Sequence, residues 1–244
     1  MKPLLLALIF PVTMIFLASQ TMKEGGTQKD SSFELHHVVR KPKDNTKPAP
    51  LLLLLHGYGS NEQDLFSIAN KIPDNWFVVS VRAPLEISSN QFKWYDVKMV
   101  DKKITANSED LENSRIALLA FIDKIGETYK VDKNEVVVAG FSQGANMALS
   151  LVLTQPEKVL AAACFSGRFM EEYEPQMNRK DVLQSKRVFI AHGTKDQMLP
   201  ITYAEESTAM LKELGLVVTL STDEVAHTIS NKHLADFITW MNEL

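Results

Sequence analysis

A serine, a carboxylate and a histidine in the second half of this chain could together make an activated nucleophile. The serine is Ser142, inside Gly140-Phe141-Ser142-Gln143-Gly144. A serine hydroxyl attacks poorly at neutral pH unless a base lies within hydrogen-bond reach and a third group orients that base. The G-x-S-x-G spacing answers a steric need. A sharp strand-to-helix turn strains the serine and brings neighbouring backbone close, and glycines at 140 and 144 have no Cβ to clash. Residues 135–139, mostly β-branched and apolar, read as a buried strand entering the turn, and residues 145–153 read as a helix leaving it. That helix would aim its N-terminal N–H groups and dipole at the hydroxyl. In other surroundings the same five residues are a glycine-flanked turn; in these they read as a nucleophile elbow.

The base and the acid are expected after the nucleophile, in the order serine, acid, histidine, each on a loop at the carboxyl end of a strand. Asp196, in His192-Gly193-Thr194-Lys195-Asp196, follows an expected strand at 187–191, and His227, in Val225-Ala226-His227-Thr228, follows one at 217–220. The rivals fit less well. Of the six histidines, His36 and His37 lie far upstream, and His56 and His192 each precede a glycine at a strand end, where a loop-holding role is usual. His233 falls inside the last expected helix and is expected on its surface. Asp223 and Glu224 also lie between serine and histidine but follow the wrong strand. The tetrahedral intermediate needs N–H donors for its oxyanion. Gln143, the residue after the nucleophile, is one candidate, and Tyr58 in His56-Gly57-Tyr58-Gly59 the other, unless that loop is a plain glycine turn. Trp94, Tyr95 and Met198 are candidates for pocket walls, with core packing an equal reading for the two aromatics and an alternative for Met198.

These residues need a frame. The five leucines 51–55 read as a central strand, 77–82 as the next, 159–165, 187–191 and 217–220 as later ones, and 33–39 as the first. Helices are expected at 61–71, 108–129, 201–214 (ended by Gly215) and 231–242. Strands alternating with helices predict an α/β fold, a mostly parallel central sheet with helices on both faces. The 21 residues 166–186 are too few for a large cap over the site.

The chain has 244 residues, 45% hydrophobic and 23% charged, with a net charge of −4. One globular domain over 33–244 fits this length. No basic stripe suggests nucleic acid as a partner. The one cysteine, Cys164, sits in an apolar run and excludes an intramolecular disulfide. No H-E-x-x-H or paired-cysteine pattern asks for a metal, and no cofactor is expected. Residues 1–20, a basic start, an apolar run and a small-residue exit, read as a cleaved secretory signal, with an uncleaved N-terminal anchor the alternative. Residues 21–32 read as a flexible leader. A secreted or periplasmic location follows, with no membrane span once the signal is gone.

Leu54-Leu55-His56-Gly57-Tyr58-Gly59, Trp94-Tyr95-Asp96, the elbow and His192-Gly193-Thr194-Lys195-Asp196 together resemble the phospholipase/carboxylesterase family of serine α/β-hydrolases, which includes acyl-protein thioesterases. The resemblance spans roughly residues 48–244. It implies an α/β-hydrolase fold, a Ser142–Asp196–His227 triad and oxyanion donors at Tyr58 and Gln143. Ala226 stands where the family often has glycine, and an N-terminal signal sets this chain apart from the cytosolic members. The expected activity is hydrolysis of small-molecule carboxylic esters with short to medium acyl groups, through an acyl-enzyme. A feruloyl or acetyl-xylan type of esterase, a serine peptidase and a non-catalytic binding protein on a hydrolase scaffold are the alternatives.

Overall fold

Five consecutive leucines suit a strand only if both its faces are buried. In the computed structural model, which describes residues 35–100 and 103–244, they are. Leu51, Leu53 and Leu55 enter one hydrophobic cluster and Leu52 and Leu54 a second, on opposite faces of the sheet, all at 0% exposure. Each buried leucine is worth about 1.5–3 kcal/mol relative to exposure. The expected signal (1–20) and leader (21–32) lie outside the described residues.

In chain order, the elements begin with β1 (His37–Arg40), β2 (Ala49–Leu55), α1 (Glu62–Phe66) and β3 (Phe77–Val81). Two small hairpins follow, β4 (Leu85–Ser88) with β5 (Gln91–Lys93), and β6 (Val97–Val100) with β7 (Lys103–Ala106). The long α2 (Ser108–Thr128) leads into β8 (Val131–Phe141), α3 (Gln143–Thr154) and β9 (Ala161–Phe165). After the short α4 (Lys180–Leu183) come β10 (Arg187–Gly193), α5 (Thr202–Glu213), β11 (Val217–Asp223) and α6 (Asn231–Met241).

Among the described residues the main sheet has seven strands in the order β1-β3-β2-β8-β9-β10-β11. Only β1 runs antiparallel, to β3; the other neighbours are parallel. Helices α2, α3 and α5 contribute Leu118, Met147 and Leu211 to one face. The opposite face is covered by α1 and α6, through Leu65, Leu234 and Phe237. The strand order reverses between β2 and β8, the kind of switch point where open α/β sheets hold ligands beyond the carboxyl ends of their strands. Ser142 follows β8 there, and His56 follows β2.

Three local expectations change. The helix expected at 61–71 stops at Phe66, where Ser67 and Ile68 donate to Asp64 O and Leu65 O three residues back, and a separate 3-10 turn covers Ala69–Lys71. The two hairpins between 85 and 106 carry no strong alternation and depend on distant partners: Gly59 N–H donates to Phe92 O, and Phe92 N–H to Ser60 O. His233, expected at the surface, is 1% exposed. It occupies the first turn of α6, where its backbone N–H donates to the Ser230 hydroxyl cap and its ring Nδ1 accepts from Ser230 N–H.

Candidate active site

Ser142 is one of four described non-glycine residues with a positive φ. It caps α3 with φ 52 and ψ −115, a left-handed conformation unusual for a residue with a Cβ. The glycines on either side have no room for more. A Cβ on Gly140 would stand 2.1 Å from Gly144 O, and one on Gly144 would stand 2.0 Å from Leu55 O. Ser142 N–H donates to Phe165 O at 2.8 Å, tying the elbow to β9. The hydroxyl therefore rides on a turn that sterics and a cross-strand bond both hold.

Asp196 and His227 come together at the far end of the sheet. The Asp196 side chain is wholly buried, and its Oδ2 accepts from His227 Nδ1 at 2.6 Å. Its Oδ1 accepts the Met198 and Leu199 N–H groups, each at 2.9 Å. With Nδ1 committed as donor, Nε2 of His227 is left as the acceptor, the tautomer a general base requires. The imidazole packs on Phe141, ring centroids 4.9 Å apart, which brings it beside the residue preceding Ser142. Among the described residues no hydrogen bond closes Ser142 Oγ onto His227 Nε2; such bonds are often long in unliganded sites and tighten on substrate.

The rival acids point elsewhere. Asp223 Oδ1 accepts its neighbour's Glu224 N–H, and Glu224 pairs with Lys195 at 3.0 Å on the surface. The rival histidines hold loops. His56 is fully buried; its Nδ1–H donates to Gly57 O at 2.7 Å while its Nε2 accepts Ala83 N–H at 3.0 Å. Burial pushes its pKa below the usual value despite the Gly57 bond. His192, also buried, donates from Nε2 to Leu199 O at 2.7 Å and so closes the turn whose N–H groups hold Asp196. That bracing was not foreseen from the sequence, although the His-Gly pair at a strand end pointed to a loop-holding role.

The oxyanion candidates sit at the switch point. Gln143 is the first residue of α3, where the backbone N–H has no intrahelical partner. Tyr58 is 54% exposed in the turn after β2, and its N–H has no acceptor among the described residues. Trp94 and Tyr95 do not line a cleft: at 0% and 2% exposure they belong to the core, the second of the two readings open to the sequence. Met198, at 68%, stands in solvent on the acid loop. Cys164 is buried, its thiol donating to Ala145 O and its pKa pushed up by burial.

Two clefts flank these residues without being lined by the triad candidates. One of about 560 Å³ runs past Arg168, Phe169, Tyr203, Ser207 and Met210. Gly167, the residue before Arg168, packs near the elbow: a Cβ there would lie 3.5 Å from Ser142 O. The other, about 260 Å³, is bounded by Ile68, Phe141, Thr228 and Ile229 on the His227 side. The residues between β9 and β10 form only a 3-10 turn (Glu171–Gln176) and α4, so among the described residues no separate cap domain stands between these strands.

The chain is similar to known proteins. The family model described as Phospholipase/Carboxylesterase matches residues 35–244. Esterase YpfH of Escherichia coli (strain K12) is 28% identical over 216 residues, covering 82% of this chain and 84% of its own length. Acyl-protein thioesterase 1 of Mycosarcoma maydis is 26% identical over 201 residues, or 75% of this chain and 84% of that one. The Bacillus cereus carboxylesterase structure matches with a TM-score of 0.73 at 28% identity, covering 88% of this chain and 96% of that one. The chain belongs to the phospholipase/carboxylesterase family and is a serine ester hydrolase on an α/β-hydrolase fold.

Proposed function

We propose that the chain hydrolyses short to medium acyl esters of small molecules through an acyl-enzyme on Ser142. His227 Nε2 takes the hydroxyl proton as Ser142 Oγ attacks the ester carbonyl carbon. The carbonyl π electrons move to oxygen, and the Tyr58 and Gln143 N–H groups receive that oxyanion, each donor worth about 3–4 kcal/mol in comparable sites. The tetrahedral adduct collapses, the C–O bond to the alcohol breaks, and His227 gives its proton to the leaving oxygen. Water, deprotonated by the same imidazole, then attacks the acyl-serine; the acyl–Oγ bond breaks as His227 returns the proton to Ser142, and the acid leaves. Asp196 holds the tautomer and stabilises the imidazolium without taking the proton.

The observation that carries this reading is the 2.6 Å His227–Asp196 bond beside a serine held at φ 52. The absence of a separate cap among the described residues supports small or short-chain esters over long lipids. The relatives named as acyl-protein thioesterases favour a second reading, thioester hydrolysis, which the same machinery performs because a thiolate leaves in place of the alcohol. The secretory reading of residues 1–20 makes an extracytoplasmic location part of the proposal; Edman sequencing of protein recovered outside the cytoplasm should begin near residue 21.

Hydrolysis of p-nitrophenyl esters from acetate to palmitate, beside one matched thioester, tests the reading on wild type and Ser142→Ala. Turnover should peak at butyrate to octanoate and vanish in the variant. A palmitate maximum contradicts the chain-length reading, and equal turnover in Ser142→Ala contradicts the mechanism.

A further inference from the structure

Trp94 and Tyr95 form no pocket wall, yet six polar contacts meet on this buried dipeptide. The Gln143 carboxamide spans its backbone: Oε1 accepts Trp94 N–H at 3.1 Å, and Nε2 donates to Tyr95 O at 2.9 Å. The Trp94 indole N–H donates to His56 O at 2.8 Å, at the head of the loop that carries Tyr58. From α2, the Ser114 hydroxyl donates to Trp94 O at 2.5 Å. Asn146, one turn along α3, donates to the Tyr95 hydroxyl at 2.7 Å, and that hydroxyl contacts Met170 Sδ at 3.4 Å.

A core that needed only volume would place an aliphatic side chain at 143. An amide there satisfies two backbone groups that burial would otherwise leave unpaired. The bonds also join particular places. Residue 143 follows β8 and residue 56 follows β2, strands whose register ends at Leu55 opposite Gly140. Beyond that point the ladder no longer sets the distance between the two loops. Beside the close packing of Gly144 on Leu55 O, the Trp94-Tyr95 dipeptide bridges them, with Gln143 on one side and His56 on the other.

We infer that the Gln143 carboxamide and the Trp94 indole are positioning groups that hold the Gln143 and Tyr58 N–H donors at the separation an oxyanion requires. The inference rests on the ester-hydrolase reading above. It assigns the Gln143 side chain a role separate from that of its backbone, and it gives the Trp-Tyr-Asp segment a part in the chemistry without contact to substrate. Misplacing a donor by about 1 Å costs transition-state stabilisation while leaving ground-state binding nearly unchanged.

The test compares Gln143→Met, Gln143→Glu and Trp94→Phe on full-length protein, with active sites counted by fluorophosphonate titration so that unfolded molecules drop out. For Gln143→Met and Trp94→Phe, kcat per titrated site should fall about 10- to 100-fold with KM within about twofold. Gln143→Glu keeps the acceptor for Trp94 N–H and regains a donor to Tyr95 O when its carboxyl is protonated. Its kcat relative to wild type at the same pH should therefore rise as pH falls. Titrated kcat within about twofold of wild type for both Gln143→Met and Trp94→Phe, or a flat Gln143→Glu ratio, overturns the inference. Turnover that survives Ser142→Ala overturns the underlying hydrolase reading instead.

Discussion

The nucleophile elbow and the acid–histidine edge position their catalytic candidates by different balances of steric exclusion and hydrogen bonding. The elbow lies mid-sheet, between β2 and β9, and is held by exclusion: the Cβ positions of Gly140 and Gly144 coincide with backbone atoms of the next helix and the next strand. The edge lies at β10 and β11, the last strand of the sheet; exclusion acts there at Gly193, whose Cβ would stand 2.2 Å from Val225 O, but the carboxylate and imidazole themselves are held by bonds. Thr194 N–H donates to Asp223 O and Lys195 N–H to Val225 O, and Asp196 then gathers three donors onto its carboxylate. Steric exclusion tolerates almost no change, because packed backbone has nowhere to go. A bonded loop can lose its chemistry and keep its fold. Substitutions of the elbow glycines should therefore register first as lost stability, and substitutions of the bonded Asp196 and His227 side chains as lost turnover.

The largest effect expected at the edge is in Asp196→Asn. The amide can still accept from Met198 and Leu199, but it presents N–H to the His227 ring and favours the wrong tautomer. Turnover of p-nitrophenyl butyrate should fall about 10⁴-fold, roughly 5.5 kcal/mol, with the thermal midpoint nearly unchanged. A large midpoint loss with near-normal kcat would reverse the contrast. At the elbow, Gly144→Ala should cost about 3 kcal/mol or more in urea unfolding, since the new methyl meets Leu55 O at 2.0 Å. Wild-type stability in that variant would show that the elbow is not held by exclusion.

A pH effect belongs to the centre of the molecule. His56 and His233 are both held below the usual histidine pKa by burial. The unfolded chain takes up protons near the ordinary value of about 6.5, whereas the folded chain resists until lower pH. Between those values the unfolded state binds more protons, so stability falls as pH drops below about 6.5. Urea midpoints measured from pH 8 to pH 5 should decline through this window, and less steeply in His56→Gln. A rise on acidification would contradict the neutral, doubly bonded imidazole at His56. The smallest effect is Glu224→Gln, which removes the exposed Lys195 pair beside the acid loop and should change stability by less than about 0.5 kcal/mol. Loss of turnover there would return Glu224 to the competition for the acid's role.

The same contrast explains what the sequence made legible. The elbow is written in five adjacent letters because its sterics are local. The central leucine strand was equally plain, since burial on both faces demands an uninterrupted apolar run. Asp196 and His227 were reachable through chain order and strand ends, while the hydrogen bond joining them spans 31 residues and has no local signature. The Gln143 clamp on Trp94 spans 49 residues, and nothing near either residue announces it. The hairpins at 85–106 were missed for the same reason, because one of them pairs with the loop after β2. His233 misled because a polar residue in an amphipathic helix is assigned by habit to the wet face, whereas the first turn of α6 is buried against a serine cap.

The most direct test of the central claim is to react the protein with a fluorophosphonate and locate the added mass by peptide sequencing. The account predicts a single label on Ser142, lost in Ser142→Ala and strongly slowed in Asp196→Asn. A protein that hydrolyses esters but carries the label on another residue, or none at all, would contradict it.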